Sequence, residues 1–260
     1  MVKRRLIPKL LLKSVQLGSL NKMVLVTTVN YDKVINAGDP VSQAKIYEAQ
    51  SADELVFLDI DSKIENRKLV IDIIRKVSEE IFMPITIGGG VENLDDFRLL
   101  LSNGADKVAV NTHAVKNPDL IMQASKKYGA QCVVVSIDYK KTLDGYKVFI
   151  NGGKEETEYD PLNWAKECEK SGAGEILLTN IDNDGSSNGL DVEMIYLVTK
   201  NVNIPVIASG GCGLARHFIE GFKAGADAVS AGTFFCFRDQ SPIQTRSHIA
   251  NAGIPVRLHK

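Results

Sequence analysis

The 260-residue sequence predicts a closed (β/α)8 TIM barrel, one domain made of two similar half-barrels. Three observations carry that expectation. Eight short runs of branched apolar residues alternate with amphipathic helical patterns, as a parallel sheet covered on both faces requires. "PITIGGGVENLDDFRLLLSNGADKVAVNT" (84–112) aligns without a gap to "PVIASGGCGLARHFIEGFKAGADAVSAGT" (205–233), with nine of 29 positions identical at an offset of 121 residues. "ELVFLDID" (54–61) matches "EILLTNID" (175–182) at the same offset. Two related halves, about 1–125 and 126–260, join their sheet edges naturally by closing. A doubly wound open sheet satisfies the alternation equally, because pattern alone does not show closure.

The expected strands are 5–11, 54–60, 84–88, 107–111, 132–138, 175–179, 205–209 and 226–231. The first and fifth align at an offset of 127, which sets Leu11 opposite Asp138 across the barrel. Between strands, "NRKLVIDIIRKVSEEI" (66–81) places Leu69, Ile73 and Ile74 at helical spacing. "DDFRLLLSNG" (95–104) does the same with Phe97, Leu100 and Leu101. Residues 14–37 read as a loop.

Apolar residues at 44% and charged residues at 24% suit a folded core and argue against disorder. A net charge of −1 argues against nucleic-acid and anionic-membrane binding. No apolar stretch reaches transmembrane length, and Pro8, Lys9 and Lys13 interrupt the N-terminal run short of a signal peptide. Cys132, Cys168, Cys212 and Cys236 lie far apart, which suggests reduced, mostly buried thiols and a cytoplasmic protein. His113, His217, His248 and His259 lack metal-ligand spacing, so surface or capping roles and no metal are expected.

In a barrel, chemistry sits at the C-terminal ends of the strands. Gly88, Gly89 and Gly90 in one half, and Ser209, Gly210 and Gly211 in the other, end strands just before helices. Asn111 and Thr112, and Gly232 and Thr233, end the neighbouring strands. Each group can cradle a phosphate with backbone N–H groups, so a ligand phosphorylated at both ends suits the pair. Tight strand–helix turns also need glycine for geometry alone. Asp138 closes the otherwise apolar "VVVSID", where an unpaired carboxylate is costly to bury. Acid–base chemistry or hydroxyl binding is its natural use. Asp59, Asp61, Asp182, Asp184 and Gly185 lie at strand ends or in the loops beyond, where turn formation and capping compete with ligand binding. At the opposite mouth, Arg5, Glu54, Lys107 and Glu175 each precede a strand. They make either an alternating ring or four separately solvated charges, and the residues alone favour the latter.

The whole chain resembles the HisF family, the cyclase subunit of imidazole glycerol phosphate synthase. "AGDPV", "ADELVFLDI", "GGGV", "GADKVAVNT", "QCVVVSID", "GAGEILLT", "DNDGSSNG", "PVIASGG" and "GIPVRL" carry the resemblance. It implies ammonia delivery from a class I glutaminase docked at the bottom face, with Asp106 at the contact. It turns Arg5, Glu54, Lys107 and Glu175 into a gate at the ammonia entrance. It implies phosphate binding by the glycine cradles, with Gly232, Thr233 and Asn183 as departures, and no cofactor. It also implies two aspartates, ending the first and fifth strands, as acid and base. The fifth is Asp138, but the first is Leu11, which cannot exchange a proton. Lys9 is expected deeper in the barrel and Lys13 in the following loop. "LIPKLLLK" with "FLDID" further resembles a divergent branch that amidates nucleotide-linked sugars for O-antigen, beside a separate sugar amidotransferase. A genuine histidine-pathway cyclase that tolerates Leu11 is the alternative, and a related sugar-phosphate isomerase is disfavoured by the four gate charges.

Overall fold

The computed structural model describes residues 3–18, 20–61, 67–237 and 240–257. Its strands are β1 (Arg5–Leu17), β2 (Leu20–Val29), β3 (Lys33–Gly38), β4 (Leu55–Asp59), β5 (Ile85–Gly88), β6 (Lys107–Val110), β7 (Val133–Thr142), β8 (Gly145–Ile150), β9 (Glu155–Glu156), β10 (Glu175–Asn180), β11 (Val206–Ser209) and β12 (Ala228–Ala231). Its helices are α1 (Pro40–Ala49), α2 (Arg67–Glu80), α3 (Leu94–Leu101), α4 (Thr112–Lys116), α5 (Asp119–Tyr128), α6 (Pro161–Lys170), α7 (Val192–Thr199), α8 (Ala215–Lys223), α9 (Thr233–Phe237) and α10 (Pro242–Asn251). Parallel pairing runs β10-β11-β12-β1-β4-β5-β6-β7, and β7 pairs with β10 to close the ring. The eight-stranded closed barrel is therefore present, and the open-sheet alternative falls.

Alternation along each strand separates two packing faces. Ile7, Val56, Ala109, Val134, Leu177, Ile207 and Ala228 fill the barrel interior as one apolar layer. The intervening residues, such as Leu6, Phe57, Val108, Val135 and Ile176, pack outward against the helices. A fully buried side chain of this size contributes about 1.5–3 kcal/mol relative to exposure. That explains why both faces of most barrel strands are apolar at mid-height, although β5 places Thr86 beside Val56.

The two halves share more than sequence. Asp39 and Asp160, 121 residues apart, each cap a helix whose first residue is proline, accepting from the N–H of Ser42 and Asn163. A Cβ on Gly89 would lie 2.2 Å from the carbonyl oxygen of Asp59, and one on Gly210 would lie 2.3 Å from that of Asn180. Both glycines also have positive φ. Each conserves a close approach between a strand–helix turn and the end of the preceding strand.

The structure departs from expectation where strands one and five end. β1 continues to Leu17 and pairs antiparallel with β2, which pairs with β3, so the described residues of 14–37 form a three-stranded hairpin extension rather than a loop. Lys13 lies in that extension, opposite Val24. β7 likewise continues into β8 and β9. Asp61 Oδ2 accepts from the Ser14 N–H at 2.9 Å, and Asp182 Oδ2 accepts from the Lys141 N–H at 2.9 Å. These two acids tie down equivalent extensions, which is the turn-forming role rather than the catalytic one. His217 is buried, with Nδ1 accepting from the Gly213 N–H just before α8, so of the two roles expected it takes the capping one and not the surface one.

Candidate functional site

At the N-terminal mouth the charges meet. Arg5 donates to Glu54 at 2.7 Å and to Glu175 at 2.5 Å, while Lys107 Nζ donates to Glu54 at 2.9 Å and to Glu175 at 2.8 Å. Each carboxylate bridges both cations, so the four close into a ring, and the reading of four separately solvated charges fails. Burial alone would depress the Arg5 guanidinium, but Glu175 and Glu54 outweigh it and its pKa is raised. Burial likewise works against ionised Glu54, but Arg5 and Lys107 prevail and hold its pKa below the usual carboxylate range. Directly above the ring lies the apolar layer.

Asp106 stands exposed at the same face, and its Oδ2 accepts from the Ile85 N–H at 2.8 Å. Asp227, 121 residues later, accepts from the Val206 N–H at 3.2 Å. Asp106 therefore has a structural duty in addition to its exposure at the expected contact.

At the C-terminal mouth, Asp138 projects from β7 into the barrel. Its carboxylate accepts from Ser136 Oγ at 3.1 Å and from Asn111 Nδ2 at 3.5 Å. The Tyr31 hydroxyl, from the β2–β3 turn, lies close enough to favour its ionised form. Burial pushes the Asp138 pKa up to about 6, against the opposing pull of Lys9, Ser136 and Tyr31. That value lies in the range of a working general base.

Leu11 is buried in a small apolar cluster with Val24 and Val26, against which Val15 and Leu58 pack. The hairpin uses this position as its footing. Lys9, four residues after the ring's Arg5 on the same face, lies deeper than Leu11 as expected, in register with Val56. Its ammonium reaches the mouth, 3.2 Å from Asp184 Oδ1. Asp184 Oδ2 accepts from Thr28 Oγ1 at 2.8 Å, and its backbone carbonyl accepts from the Asn30 N–H at 2.8 Å.

The expected phosphate cradles divide by what they touch. Arg67 donates to the carbonyls of Gly89 and Gly90 and pairs with Asp96 at 3.4 Å, placing a guanidinium at the first cradle. Gly88 packs against Leu58 and Ala109. Thr112 Oγ1 accepts from the Asn151 N–H at 3.0 Å. In the other half, Gly211 packs on the Gly189 carbonyl, and Gly185 lies under Thr28 and Val29 of the hairpin. Gly232 abuts the Lys9 carbonyl, Thr233 begins α9, and Ser209 Oγ has no partner among the described residues. Close packing explains Gly88, Gly89, Gly185, Gly210 and Gly211 without a ligand. No pattern in the sequence marks Tyr31, Thr28 or Arg67, whose roles depend on how the hairpin and turns fold back.

Fold and site define a (β/α)8-barrel protein with a buried acid at the strand ends and a charged ring at the strand starts. The profile of the family described as "Histidine biosynthesis protein" matches residues 16–241. A Prochlorococcus marinus (strain MIT 9313) protein named "Putative imidazole glycerol phosphate synthase subunit hisF2" is 49% identical over 261 residues, covering 100% of both chains. "Imidazole glycerol phosphate synthase subunit HisF" of Clostridium botulinum (strain Kyoto / Type A2) is 47% identical over 261 residues, covering 99% of this chain and 100% of that one. The chain belongs to this family and is a HisF homologue. No helix among the described residues is long and apolar enough to cross a membrane.

Proposed function

We propose that this chain is the synthase subunit of an imidazole glycerol phosphate synthase-type complex. A class I glutaminase docks around Asp106 and the ring of Arg5, Glu54, Lys107 and Glu175, and ammonia passes up the barrel to a phosphorylated substrate at the Asp138 mouth. The observation that carries this reading is the closed four-charge ring at one mouth of a barrel whose other mouth holds an acid with a pKa near 6. An isolated surface needs no such ring, because alternating buried pairs are expensive to assemble without a use. The names of the relatives point to the same synthase. The glycine turns and Arg67 supply the phosphate contacts.

Leu11 favours a second reading, in which the barrel only conducts ammonia and a separate sugar amidotransferase of O-antigen synthesis consumes it. Complementation of a cyclase-deficient histidine auxotroph decides between them. Growth supports the synthase reading. No growth, with a glutaminase and a sugar amidotransferase co-purifying, supports the second.

A further inference from the structure

Lys9 sits on β1 and Asp138 on β7, four strands apart whichever way round the eight-stranded ring one counts. The two side chains thus enter the mouth from opposite walls. Lys9 is 4% exposed, and its hydrogen bond to Asp184 is the one its ammonium makes to a described residue. A buried ammonium is costly to keep, and nothing in the apolar packing requires it. Both anchors of the pair are fixed. Asp184 is held by Thr28, and Asp138 by Ser136 and Tyr31. The same interior wall carries Ser209 and Ser230, adjacent in register, whose buried hydroxyls have no partner among the described residues. The chamber therefore offers unspent hydrogen bonds to a small polar reactant.

We propose that Lys9 and Asp138 are the acid–base pair of this mouth, Lys9 exchanging the proton that Leu11 cannot. The inference rests on the synthase reading and names the residue that makes it chemically workable. When ammonia attacks a carbon doubly bonded to oxygen, an N–C bond forms and the C–O π electrons move to oxygen. Asp138 takes the proton that nitrogen sheds. Lys9 Nζ gives one to the oxygen, and the product is the carbinolamine. Return of the Asp138 proton to the Lys9 amine, through water or Asp184, restores both groups, and no proton is consumed.

The test has two arms on the purified chain. The first follows the Asp138 carboxyl by 13C NMR across pH in the parent, Lys9→Met and Lys9→Arg proteins. Asp184, Tyr31 and Cys212 are the other titratable groups around the pair and are followed as controls. Losing the ammonium should raise the Asp138 midpoint by about one pH unit in Lys9→Met and leave it near the parent value in Lys9→Arg. The second arm measures turnover with ammonium salt and the phosphoribosyl substrate of the synthase. Both variants should lose about 10²–10⁴ in kcat, with little change in KM, because arginine keeps the charge but cannot exchange the proton. Lys9→Arg turning over within tenfold of the parent overturns the proposal, as does an unmoved Asp138 in Lys9→Met. A parent inert to that substrate with a shifted Asp138 supports the pair and rejects the synthase reading. Should Lys9→Met fail to fold, Lys9→Gln takes its place in both arms.

Discussion

Leu11 and Asp138 occupy equivalent places on opposite strands, and only Asp138 can hold a proton. The equivalence is in the backbone. The Ile60 N–H donates to the Leu12 carbonyl at 3.0 Å, and the Ile181 N–H donates to the Tyr139 carbonyl at 2.8 Å. One half keeps the acid, while the other uses the position as apolar footing for a hairpin.

Leu11→Asp should therefore do more than restore an acid. It places a carboxylate among Val24, Val26 and Leu58 and forfeits on the order of 2 kcal/mol of burial. Urea denaturation should show that loss, and proteases should cut within residues 14–37 sooner than in the parent. Turnover with ammonium should not rise above the parent, since Lys9 already exchanges the proton opposite Asp138. Unchanged stability would mean that the apolar cluster does not hold the hairpin.

Asp138→Asn should stabilise the protein at neutral pH. The folded-state pKa is raised to about 6 from 3.8, so between those values the folded protein binds more protons than the unfolded chain. Stability then falls as pH rises through that window, by about 3 kcal/mol at 1.36 kcal/mol per unit. The variant should exceed the parent above pH 7 and lose its advantage below pH 4. Thermal melts across pH check this, and a constant difference would show that burial does not dominate at Asp138.

Gly89→Ala and Gly210→Ala should be equally damaging. The added Cβ would meet a backbone carbonyl at 2.2 Å in one and 2.3 Å in the other, at positive φ in both. Each should cost on the order of 3 kcal/mol. Gly145→Ala, in open space at positive φ, isolates the backbone strain and should cost less. Denaturant midpoints of the three variants measure it.

The barrel was legible in the sequence because strand alternation, glycine turns and a repeated segment all report the same backbone. The ring was legible only as four charges in the same place on four strands. Whether they touch depends on side-chain reach, which no spacing encodes. The depth of Lys9 was legible from its place on β1, but its partner was not, since only the reach of its four-carbon stem brings the ammonium to Asp184. Tyr31 was invisible because it arrives on a hairpin tip, brought over the mouth by Asp61, Ser14 and Thr28.

The ring's purpose is tested most directly by nitrogen source. With the glutaminase partner bound, Arg5→Ala should reduce glutamine-dependent turnover at least tenfold more than turnover with ammonium salt, which can reach Asp138 from the open mouth. The variant must first be shown folded, because it leaves Glu54 and Glu175 each short of a partner, at a cost of about 3–5 kcal/mol for a fully buried pair and less for this partly exposed one. Equal losses with glutamine and with ammonium salt, in a folded complex, would contradict passage of ammonia through the ring.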